Sequence, residues 1–104
     1  MSEKKIAHMV YFTLEQPTEQ NIQALLADMK HYLDNHPGLE YFSCGTLNQE
    51  LARPVNDRAF HVCLNTVFTN RAAHDAYQEH PRHEEFIERN KPGWKQVRVF
   101  DSDC

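Results

Sequence analysis

Lys5-Ile6-Ala7-His8-Met9-Val10-Tyr11-Phe12-Thr13-Leu14 carries the pattern from which the fold follows. Its β-branched, aromatic and aliphatic residues suit a pleated surface. Ile6, His8, Val10, Phe12 and Leu14 fall on one face of a strand, and Ala7, Met9, Tyr11 and Thr13 on the other. Both sets are largely apolar. A strand apolar on both faces is covered on both faces, so the sheet has a second partner besides its own helices.

The rest of the chain supplies the other elements. Thr18 suits a helix N-cap, with Glu19 placed where a negative charge favours the helix dipole. Ile22, Leu25, Leu26, Met29, Tyr32 and Leu33 recur at helical spacing as one apolar stripe, and His36-Pro37-Gly38 stops the helix. Residues 39–47 read as a second strand, 48–58 as a long polar loop, and 59–68 as a third strand. In that third strand Phe60, Val62, Leu64 and Phe68 share one face, and His61, Cys63, Asn65 and Val67 the other. Thr69 or Asn70 caps a helix whose stripe of Ala72, Ala73, Ala76 and Tyr77 is narrow enough for close approach to the sheet. Pro92-Gly93 ends the helical region, and Trp94 to Asp101 closes as a fourth strand. The order βαββαβ is the ferredoxin-like arrangement, an α+β fold with a four-stranded antiparallel sheet and its helices on one face. The open face carries large apolar groups from strands one and three. It predicts two sheets pairing in a symmetric homodimer.

Composition narrows the function. The 104 residues suit one domain, residues 1–104. Hydrophobic residues make up 40% and charged ones 25%, which argues against disorder. A net charge of −4, a pI of about 5.9 and the lack of any Lys/Arg run argue against nucleic-acid binding. The apolar runs are too short for a membrane span. Met1-Ser2-Glu3-Lys4-Lys5-Ile6 has no signal-peptide pattern, so a cytoplasmic protein is expected. Cys44, Cys63 and Cys104 form no C-x-x-C pair, which disfavours a disulfide framework or a zinc knuckle.

The chain resembles the stress-responsive α/β-barrel domain family, also called dimeric α/β-barrel (Dabb) proteins. The matching residues are Ile6-Ala7-His8-Met9-Val10-Tyr11-Phe12, Pro37-Gly38-Leu39, Ala76-Tyr77-Gln78-Glu79-His80-Pro81-Arg82-His83 and Val97-Arg98-Val99-Phe100-Asp101. The resemblance covers almost the whole chain, and the Tyr-x-x-His-Pro-x-His run is its most specific part. The resemblance implies a ferredoxin-like protomer that pairs into a barrel and binds a small molecule. One plant member is a cofactor-free polyketide cyclase working by intramolecular aldol condensation. Its acid/base pair, a tyrosine and the last histidine of the run, would fall on Tyr77 and His83. Its further site histidines would fall on His8, His61 and His80. Arg82 replaces a small residue of that enzyme and Glu84-Glu85 follows, so the substrate does not carry over. Other members are plant stress proteins without assigned chemistry, which leaves a non-catalytic barrel as an alternative. Fold analogy adds a cofactor-free monooxygenase.

The residues themselves support an acid/base reading. Pro81 is suited to start a new helical turn, so a break near His80 aims Tyr77 and His83 into a pocket. Imidazole titrates near neutral pH, and a phenol donates a hydrogen bond to an oxygen that gains charge. His8 and His61 lie on the two central strands and are expected as neighbours; if both face the helices, His83 and Tyr77 reach them across one cavity. His83 and Tyr77 are therefore the catalytic candidates, for proton abstraction next to a carbonyl, and His8, His61 and His80 the substrate-binding ones. Each has a plainer reading: His80 as a helix-end residue, His8 and His61 as satisfied core histidines, Tyr77 as packing. His80 and His83 span the break, and no cysteine or carboxylate stands at a ligand spacing, so neither a metal nor a cofactor is expected.

Overall fold

β1 (Ile6–Leu14) runs between β3 (Val62–Phe68) and β4 (Trp94–Asp103), and β2 (Leu39–Thr46) lies outside β3. All three pairings are antiparallel. This computed structural model describes residues 3–104; Met1 and Ser2, the first residues of the stretch without a signal-peptide pattern, lie outside them. The helices are α1 (Glu19–Tyr32), α2 (Arg71–Glu79) and α3 (Pro81–Asn90), with a 3₁₀ turn at Lys91–Gly93. The fold is ferredoxin-like, with its second helix divided in two. Among the described residues, no helix is long and apolar enough to cross a membrane.

The period-two pattern places the core. Ile6, Val10, Phe12 and Leu14 of β1 and Val62, Leu64 and Phe68 of β3 are buried against Leu25, Met29, Leu33, Tyr77 and Phe86. Thr18 Oγ1 accepts from Asn21 N–H at 3.1 Å and starts α1. Asn70 Oδ1 accepts from Ala73 N–H at 2.8 Å and starts α2. Among the described residues, no helix covers the opposite face of the sheet. There Tyr41 and Phe100 are each 53% exposed, and Tyr11 packs 4.9 Å from Phe60 and 5.8 Å from Phe100.

One expectation needs correction, and one close approach adds to another. β3 begins at Val62, not at residue 59, and Phe60 lies on the open face beside Tyr11 rather than in the core. The loop before it is held elsewhere. Thr13 Oγ1 and Arg98 Nη2 both donate to Ala59 O, and Arg98 Nη1 holds Asp57 at 2.6 Å. These bonds turn residues 57–60 across the open face before the ladder resumes. Secondly, Ala73, which packs on the core as expected, also makes a close approach that the sequence did not suggest, to the turn after α1. Gly38 has φ +79°, and a Cβ there would stand 2.4 Å from Ala73 Cβ. Gly38→Ala combines left-handed backbone strain with overpacking against an atom rigidly attached to α2. We expect a loss of about 2–4 kcal/mol in urea unfolding. An unchanged midpoint would mean that α2 shifts freely.

Candidate active site

His80 makes the break between the helices. Its backbone N–H bonds Tyr77 O at 3.2 Å and ends α2, while its ring Nδ1 accepts from Arg82 N–H at 3.1 Å and begins α3. Pro81 follows at the first helical position, where its missing N–H costs nothing. The ring of His80 stacks edge-on to His36 at 4.9 Å and does not line the pocket described below. It holds the junction that sets the angle between Tyr77 and His83.

That junction brings Tyr77, in the last turn of α2, to His83, in the first turn of α3, with ring centroids 4.8 Å apart. Tyr77 is 1% exposed and packs on Phe68 at 4.8 Å and His36 at 5.0 Å. His8 reaches the same place from β1, with its ring 6.1 Å from that of Tyr77. Its Nδ1 lies 2.5 Å from Asp101 Oδ1 on β4, and its Nε2 lies 3.5 Å from the Gln78 amide. The carboxylate therefore holds the Nδ1–H, and Nε2 faces the helix.

These groups form the polar end of a pocket of about 120 Å³. Val10, Phe12, Leu33, Leu64, Phe86, Trp94, Val97 and Val99 make its apolar wall. Gln78, His83 and Ile87 line both this pocket and a wider outer groove with Glu84, Glu88 and Lys91. They form the neck between the two. Burial drives the titration behaviour. It pushes the Tyr77 phenol well above its ordinary range, so the hydroxyl remains a donor. Burial first, then the neighbouring His8, His36 and His74, push His83 down to about 4, so its ring is neutral at physiological pH. His8 is also lowered by burial, against the opposing pull of Asp101. Among the described residues, no hydrogen bond engages the Tyr77 hydroxyl or the His83 ring.

His61 is not part of this group. β1 and β3 pair with His8 opposite Thr66, so His61, just before β3, lies five residues earlier in the chain, roughly 17 Å away at about 3.3 Å per residue. There its Nδ1 accepts from Leu14 N–H at 3.0 Å. The expected adjacency of His8 and His61 fails because antiparallel register, not strand adjacency, decides which residues meet. Three partners were missed in the sequence. His36 is buried and its Nε2 donates to Tyr32 O at 2.8 Å, closing the end of α1. His74 precedes Tyr77 by three residues on the same helix face, a spacing that was legible. Asp101 requires the β1–β4 register, which no local pattern gives.

The model of the family described as Stress responsive A/B Barrel Domain matches residues 6–104. Among solved structures, the chain is similar to a Dabb family protein with a ferredoxin-like fold from Mesorhizobium loti, with 27% identity over 96% of each chain and a TM-score of 0.78. It is similar in fold to a dimeric ferredoxin-like protein of unknown function from Thermobifida fusca, with 16% identity over 98% of this chain and 92% of that one, and a TM-score of 0.81. Hydroxynitrile lyase from Passiflora edulis shares the fold at 20% identity, over 97% of this chain and 94% of the other, with a TM-score of 0.77. No curated protein matches.

Proposed function

Since the chain belongs to the Stress responsive A/B Barrel Domain family, we propose that it binds a small neutral carbonyl compound at Tyr77 and His83 and moves a proton at the adjacent carbon. One observation carries this reading: a phenol and a neutral imidazole, 4.8 Å apart, form the polar end of an otherwise apolar pocket. The Tyr77 O–H donates to the carbonyl oxygen. His83 takes a proton from the neighbouring carbon, and the C–H electrons become an enolate whose oxygen Tyr77 holds. The developing negative charge raises the affinity of His83 for the arriving proton. Attack of the enolate carbon on a second carbonyl closes a carbon–carbon bond, and His83 returns its proton to the resulting alkoxide. The reverse direction is a lyase reaction.

The walls select the substrate. No Lys, Arg, Asp or Glu lines the inner pocket, so a carboxylate there would be desolvated without a partner. An apolar cavity of about 150 Å³ accepts benzene. The space here is smaller, about 120 Å³, so it takes a short alkyl group or part of a ring, and the remainder of the substrate passes through the neck to the outer groove. The Passiflora edulis protein is named a lyase, but at 20% identity it lends this chain a fold alone, and the lyase or cyclase reading rests on the pocket.

The same reading makes the protein a homodimer through its open sheet face, in keeping with the dimeric neighbour from Thermobifida fusca and the exposed Tyr41 and Phe100. Three unpaired cysteines suit the reducing cytoplasm.

An aryl methyl ketone and the matching aryl carboxylate, in D₂O, test the proposal by NMR. We expect the ketone, not the carboxylate, to shift the His83 ring signals and to gain deuterium at its methyl carbon. The exchange rate should be level at neutral pH and fall as pH drops through about 4, because a protonated His83 accepts no proton. Binding without exchange assigns the protein to the non-catalytic, ligand-binding reading. Ketones that leave His83 unmoved exclude this pocket as the site.

A further inference from the structure

We propose that His8, His74 and Asp101 form a binding site for a divalent first-row transition-metal ion. One ligand atom from each lies within 4.8 Å of the other two. The three come from β1, α2 and β4, so no spacing in the sequence announces them. The rings of His8 and His74 are 5.0 Å apart, and Asp101 Oδ1 is 2.5 Å from His8 Nδ1.

His74 supplies the independent observation. Its Nδ1 stands 3.0 Å from Asp75 Oδ1 and donates its proton there. That leaves the lone pair on Nε2, which is buried and, among the described residues, has no hydrogen-bond partner. A buried acceptor without a donor is costly, and a cation satisfies it. Asp75 is fixed in turn by Arg71 Nε at 2.9 Å. A carboxylate that holds the far nitrogen of an imidazole is the usual outer support of a metal-ligating histidine.

Bonds of about 2.0–2.1 Å at tetrahedral angles place ligand atoms about 3.3–3.4 Å apart. The 2.5 Å contact between His8 Nδ1 and Asp101 Oδ1 therefore opens as the ion enters, and the half-exposed Asp101 side chain has room to turn. Separations of up to 4.8 Å close by about 1.4 Å as the ion is bound. The ion replaces the proton between Asp101 and His8. A half-turn of the Gln78 amide then presents its oxygen to the N–H at His8 Nε2. A hollow of about 310 Å³ lined by His74, Asp101, Ser102 and Asp103 gives a hydrated ion access and leaves coordination positions for water. Arg71 also lines it and opposes a cation, but its charge is paired with Asp75. Two imidazoles and one carboxylate with open positions suit zinc or ferrous iron.

Untagged, chelator-treated protein titrated with Co²⁺ tests the site. We expect one saturable step, with visible ligand-field absorption and no thiolate-to-cobalt band. His74→Ala and Asp101→Ala should each abolish the step, and Asp75→Asn should weaken binding by about 10–100-fold. His31→Ala, at an exposed histidine, should leave it unchanged. Far-UV circular dichroism confirms that each variant is folded. Saturable binding that survives both His74→Ala and Asp101→Ala overturns the proposal. So does a thiolate band, or the lack of any saturable step in the wild-type protein.

Discussion

His83→Ala is expected to lower the rate of deuterium exchange into a bound ketone by about 10²–10⁴-fold, the range for loss of a positioned general base. His83 is half-buried at the neck, and among the described residues its ring has no hydrogen bond to lose. The variant should therefore fold and still bind ketone. Tyr77→Phe keeps the packing on Phe68 and His36 and removes only the hydroxyl. Its expected cost is about 10²–10³-fold, with little change in ketone affinity if the bond to oxygen strengthens as the enolate forms. The double variant should lose less than the product of the two single losses, because the donor and the base act on one transition state. If His83→Ala exchanges at the wild-type rate, the base lies elsewhere and the pocket only binds. If Tyr77→Phe weakens affinity as much as rate, the hydroxyl acts on the ground state and is no oxyanion donor.

What the sequence reveals here is set by range. The two faces of β1 are legible because alternation is local to nine residues. The helix break is equally local: Pro81 fixes it, and His80 caps both sides. Tyr77 and His83 follow from that break, so the centre of the candidate site can be read directly. What could not be read depends on register. Asp101 meets His8 because β4 pairs with β1 in one alignment among several that keep the same faces. His61 misses His8 by the corresponding rule on the other side. Phe60 has the alternation of a core residue, but Arg98 and Thr13 hold Ala59 and carry the chain across the open face. A side-chain bond from another element overrides a two-residue period near a strand end.

Phe100→Asp is expected to convert the proposed dimer to a monomer at micromolar concentration, raising the dimer dissociation constant by about 10³-fold or more. Phe100 is 53% exposed on the open face and packs there on Tyr11. It borders a hollow of about 490 Å³ with Met9, Tyr11, Phe60 and Leu51. An aspartate there adds little strain to the isolated protomer, whose helix-side core it does not touch. In a sheet-to-sheet interface the same carboxylate is buried without a partner, which costs several kcal/mol, and about 4 kcal/mol corresponds to 10³-fold. Sedimentation velocity reads the change, with far-UV circular dichroism to confirm the fold. The effect should extend to the pocket. β4 is an edge strand, and its Val97 and Val99 form part of the pocket wall on the side opposite Phe100. Once the partner sheet is gone, β1 is the strand that pairs with β4, so the monomer should show faster amide exchange along β4 and slower turnover than the dimer. A wild-type protein that sediments as a monomer would leave the apolar open face without its proposed partner. A monomeric Phe100→Asp variant with full exchange activity would show that the Tyr77–His83 pocket is complete within one chain.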